Sequence, residues 1–110
     1  MTIPATIQVG PYRYSVVVDE AAINKASIEF GHHVCGHADH CAGVFTIAPN
    51  LSPGKTAEVL LHEVVHAIDN ASGMPALKEF QVSQISVSLL DTMRRNPELV
   101  DFLMEREAKS

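Results

Sequence analysis

The chain has 110 residues, enough for one domain, and 46% of them are hydrophobic; with few aromatics and no Trp, the core must rest on Val, Ile, Leu and Ala. Eight Lys and Arg against thirteen Asp and Glu give a formal charge of -5, which leaves no cationic surface for phosphates and argues against nucleic-acid binding. No segment approaches the roughly 18 apolar residues that cross a bilayer, and the start lacks a basic region followed by a long apolar run, so no membrane partner and a cytoplasmic location are expected.

TIQVGPYRYSVVV, residues 6–18, is β-branched and partly alternating around Gly10-Pro11, which predicts two short strands joined by a tight turn. Asp19 can cap a short helix over 20–25, after which ASIEF, residues 26–30, reads as another strand. HHVCGHADHCAG, residues 32–43, reads as a loop or wide hairpin tip, followed by a strand over VFTIA, residues 44–48. Pro49, Pro53 and Gly54 break the chain before a helix from about Lys55 to Ala71, with Leu60, Leu61, Val64, Ile68 and Ala71 on one side, stopped by Ser72-Gly73 and Pro75. A second helix is predicted from about Ala76 to Arg95 on the recurrence of Val82, Ile85, Leu89 and Met93. Asn96-Pro97-Glu98 starts a third, to about residue 107. Strands lead and helices follow, so residues 1–110 are expected to form one α+β domain: a small antiparallel N-terminal sheet, then the helices.

His62-Glu63-Val64-Val65-His66 is an HExxH pattern inside a predicted helix. At about 100° per residue, positions i and i+4 lie about 40° apart, so both imidazoles project from one face to adjacent corners of a metal tetrahedron. Glu63, one residue round from His62, reaches the space beside them as a general base without taking a corner. The apolar residues of this helix lie on its other side, so all three point into a cleft. A catalytic zinc needs a third protein ligand, and Glu79, thirteen residues after His66, offers one. Glu79 extends the stripe of Val82, Ser86, Leu89 and Met93 and should face inward, where an unpaired carboxylate is costly; the plain alternative is an acid in a first helical turn. Asp69 competes as a ligand, and is better placed to hold a ligand imidazole from behind or to sit solvated near the helix end.

LLHEVVHAID, followed by LKEFQVSQI and NPELVDFL, resembles the small phage and prophage metallopeptidase-like proteins related to the ImmA/IrrE peptidases and minigluzincins. The resemblance covers about residues 42–104 and is most specific in HEVVHAID. It implies a minimal zincin-like domain of gluzincin type. Zn2+ would be held by His62, His66 and Glu79, with Glu63 as base; where relatives often carry two adjacent acids, this chain has Glu79-Phe80. It also implies that the strand at about Val44 to Ala48 is an edge along which an extended peptide pairs. The Cys- and His-rich stretch departs from that pattern.

Cys35, His37, His40 and Cys41 are four zinc-competent side chains within seven residues, with His32 and His33 close by. They could form a second metal site, although C-x-H-x-x-H-C is compact for one. Alternatively His37 or His40, with Tyr12 and Tyr14 as rivals, could donate to the oxyanion of a peptide carbonyl under attack. The bland reading is a polar loop with free thiols. The function expected from all this is zinc-dependent hydrolysis of peptide bonds in a protein or extended peptide. The alternative is a phage-derived binding or regulatory module that keeps zinc to hold its helices together without turnover.

Overall fold

The computed structural model describes residues 2–105. Strands β1 (Thr6–Val9) and β2 (Tyr12–Val18) pair antiparallel from Val9 opposite Tyr12 to Thr6 opposite Ser15, and the turn between them needs Gly10, whose φ is 56°. Helix α1 (Glu20–Phe30) then starts where expected, on the Asp19 carboxylate, which accepts from the Ala22 N–H. It does not stop at residue 25. ASIEF is its second half rather than a strand, because the residues that alternate there are not buried as a strand face: Ile28 is 81% and Phe30 53% exposed, whereas Ile23 and Ala26 are buried at helical spacing. Gly31, at φ 73°, ends the helix in the left-handed conformation.

The stretch expected as a loop contains strand β3 (Gly36–Asp39), which pairs antiparallel with β4 (Val44–Ile47). Their turn is clamped by the Asp39 carboxylate, which accepts from the Cys41 and Ala42 N–H groups. The sheet order is β1-β2-β4-β3, and β2 runs parallel to β4. The sheet is therefore mixed, not antiparallel: the crossover from β2 to β4 is made of α1 and β3, with α1 carrying the chain to the far edge, where β3 runs opposite to β2, and the β3–β4 turn bringing β4 back between them in the direction of β2. It also makes β4 an interior strand. The free edge expected at residues 44–48 belongs instead to β3.

Helix α2 (Pro53–Ala71) begins two residues before the expected Lys55, with the Ser52 hydroxyl accepting from the Lys55 N–H and Pro53 at its first position. It crosses the sheet on the face where Val9, Tyr14, Phe45 and Ala67 form the buried core, with Leu60, Val64 and Ala71 packed against them. Ile68, assigned to that side from the sequence, is 56% exposed. Helix α3 (Glu79–Arg95) begins three residues later than expected because the Ala76 and Leu77 N–H groups donate to Asp69 instead of entering the helix. It buries Val82 and Ser86 and leaves Ile85 and Leu89 exposed. Helix α4 (Pro97–Met104) follows Asn96 directly, and residues 106 and 107 of the expected helix lie outside the described residues. No helix among the described residues is long and apolar enough to cross a membrane.

Candidate metal centre

One turn apart on α2, His62 and His66 bring their Nε2 atoms to 3.1 Å from each other. Glu79, the first residue of α3, places Oε1 2.6 Å from His62 Nε2 and Oε2 2.8 Å from His66 Nε2. Zinc–nitrogen bonds of about 2.0–2.1 Å in a tetrahedron set neighbouring donors roughly 3.3 Å apart, so the imidazoles already have the separation of two ligands of one ion. One donor atom from each of the three residues lies within 4.8 Å of the others, and this is the one such group of His, Cys, Asp and Glu among the described residues. Two imidazoles and one carboxylate form a donor set that fits a metal ion.

Glu79 reaches this place by a route the sequence did not suggest. Its side chain is 71% exposed, so it is not an inward carboxylate on a buried stripe; it stands at the mouth of the site. Asp69, one turn after His66, neither ligates nor holds an imidazole. Its two carboxylate oxygens accept from Ala76 N–H at 3.0 Å and Leu77 N–H at 3.2 Å, and this pins the α2–α3 loop. The Gln81 side chain then accepts from the Lys78 N–H, which fixes the first turn of α3 with Glu79 in it.

Glu63 is only 7% exposed, between α2 and the start of β3. Burial, and secondarily the charge of Glu79, push its pKa up from 4.5 to about 7. The backbone comes this close because residue 36 is glycine: a Cβ there would lie 2.5 Å from Val59 Cγ1 and 3.2 Å from Glu63 Oε2. Two cavities meet at this point. One, of about 280 Å³, runs past His62 toward Val59, Ser83 and Ser86, and the other, of about 330 Å³, runs past His66 toward His37 and His40; Gly36, Glu63 and Glu79 line both.

The Cys- and His-rich stretch is drawn apart by its strand. Cys35 Sγ lies 3.7 Å from His33 Nε2, Cys41 is exposed, and both thiols are free. His37 lies beside Phe30 of α1, with ring centroids 5.5 Å apart. His40 turns to Tyr14, whose Oη is 2.9 Å from its Nδ1. Cys35, His37, His40 and Cys41 therefore form no common ligand set. Tyr12, 52% exposed, lines neither cavity, and Tyr14 is buried. Sequence reasoning missed the roles of Gly36 and the Tyr14–His40 contact. A glycine inside a strand is a signal of close backbone approach, but the strand itself was not recognised. Comparison of the chain with protein-family models, with curated proteins and with solved structures gives no match.

Proposed function

We propose that this chain is a zincin-like zinc metallopeptidase that hydrolyses peptide bonds in an extended stretch of a protein. The observation that carries this reading is the buried carboxylate of Glu63 beside the converged donors His62, His66 and Glu79. A site that only holds helices together needs the three donors and has no use for a fourth, desolvated carboxylate. When bound, zinc supplies Lewis acidity, polarising a carbonyl and lowering the pKa of a water. His62, His66 and Glu79 would hold the ion. Glu63 takes the proton from the attacking water and returns it to the leaving amine, for which its position beside the ligands suits it.

The edge strand supports an extended substrate. Ala48 N–H donates to Cys35 O, which makes residues 35, 37 and 39 the ones bonded to β4 and leaves the N–H and C=O groups of Gly36 and Ala38 directed outward. A peptide pairing there lies along the groove formed by the two cavities. The relationship to the ImmA/IrrE peptidases belongs to the same proposal, as does action in the cytoplasm.

The test is zinc per chain together with hydrolysis of fluorescently labelled casein, an unfolded substrate. Wild type should hold one zinc and cleave, Glu79→Ala should lose zinc, and Glu63→Gln should keep zinc and lose cleavage. Cleavage by Glu63→Gln would sink the mechanism. Zinc without cleavage in the wild type would favour the alternative, a zinc-stabilised module, which draws support from the placement of the site as a bridge between α2 and α3.

A further inference from the structure

We infer that His40 is a neutral imidazole held by Tyr14 so that its Nε2–H donates into the cleft, to the carbonyl oxygen that gains negative charge when a peptide bond is attacked at the His62, His66 and Glu79 site. The inference rests on the peptidase reading and adds to it a residue and its tautomer.

The hydrogen bond decides the tautomer. Tyr14 is 1% exposed, stacked on Phe45 with centroids 4.2 Å apart and planes 4° apart, and its hydroxyl has one partner among the described residues, His40 Nδ1 at 2.9 Å. If Nδ1 carried the proton and donated to the tyrosine oxygen, the buried hydroxyl proton would have no acceptor, at a cost of roughly 1–3 kcal/mol. The satisfied arrangement has Tyr14 O–H donating to a bare Nδ1, and a neutral ring then carries its proton on Nε2. Burial, with His66 nearby and Asp39 opposing, lowers the pKa of His40, in keeping with the neutral form. Burial keeps the Tyr14 hydroxyl protonated by raising its pKa.

Position follows from the β3–β4 turn. Asp39 fixes that turn through the Cys41 and Ala42 N–H groups, and Gly43 N–H donates to Asp39 O at 2.8 Å. His40 thus lines the same cavity as Glu63, His66 and Glu79. His37 lines it too, but no hydrogen bond among the described residues fixes its ring. A preorganised donor at a developing oxyanion contributes about 100- to 1000-fold in kcat. Tyr14 acts through His40 as a positioning residue.

Nitrogen-15 NMR of the imidazoles in the full chain should show His40 with Nε2 protonated and Nδ1 as acceptor, and Tyr14→Phe should lose that preference while remaining folded. A His40 protonated on Nδ1 would overturn the inference. The second measurement uses phenylphosphonate, a tetrahedral oxyanion, with zinc-loaded protein. His40→Ala should bind it about 10-fold more weakly, and Tyr14→Phe at least several-fold more weakly, with zinc content unchanged; equal affinity in both variants would overturn the role of His40. A wild type that takes up no zinc would overturn the peptidase reading and this inference with it. Zinc uptake with the wrong tautomer overturns only the latter.

Discussion

Glu63 is a carboxyl group whose surroundings penalise its charge, and this makes the metal-free chain sensitive to pH in a defined direction. The folded state holds the proton up to about pH 7, whereas the unfolded chain releases it near 4.5. The stabilisation is fully present below pH 4.5 and is lost as pH rises through about 7, to an extent on the order of 3 kcal/mol. His40, lowered from 6.5, works the other way and destabilises the fold as pH falls. Comparing the urea midpoint of metal-free wild type with that of Glu63→Gln between pH 5 and 8 separates the two; the variant should lack the loss on the alkaline side. Equal slopes would mean that Glu63 is solvated. At this scale the sequence was informative about His62, Glu63 and His66, since the geometry of one helix follows from spacing alone. It was less so about Asp69, whose partners lie seven and eight residues on in an irregular loop that no period describes.

The elements that carry the site are joined by two contacts that substitution can break separately. Asp69→Ala removes the acceptor for two loop amides and should cost about 1–2 kcal/mol of stability, with zinc affinity reduced roughly tenfold, in the range of losses seen when a residue orienting a ligand is removed. Isothermal titration with zinc in Asp69→Ala and Asp69→Asn checks this; unchanged affinity would mean that α3 finds its place without the loop. Gly36→Ala puts a methyl group against Val59 and Glu63 and should destabilise by about 1–3 kcal/mol, and Val59→Ala in the same chain should restore part of the loss, as thermal midpoints of the three variants will show. The helices were legible to within a few residues because caps and breakers mark them. The strands were less so. ASIEF alternates like a strand but follows a capped helix start and continues that helix, and GHAD shows no apolar alternation because Gly36 has no side chain, His37 lines the cleft and the Asp39 carboxylate clamps the turn, which leaves Ala38 alone to pack on the core.

For the molecule as a whole, the candidate metal site links α2, which packs on the sheet, to α3, which buries only Val82 and Ser86. Zinc should therefore stabilise the fold beyond its local contacts. At a hundred times its dissociation constant it adds about 2.7 kcal/mol, which for a chain of this size raises the melting midpoint by roughly 10 °C or more. Calorimetry with and without zinc should show that rise in wild type and none in His66→Ala. The α+β class could be read from the order of elements, whereas the mixed sheet could not, since strand direction depends on where the crossover helix lands.

That crossover also fixes an order of events during synthesis. Strand β4 occupies the gap between β2 and β3, so until residues 44–47 have been made, β2 lacks its partner on one side and the histidine-rich segment has nothing to pair with. Closing the gap joins residues far apart in the chain, a slow kind of step. The same short strand completes the centre of the sheet and seats β3 as its cleft-facing border, so the groove, whose other wall comes from α2 and α3, does not exist before the core does.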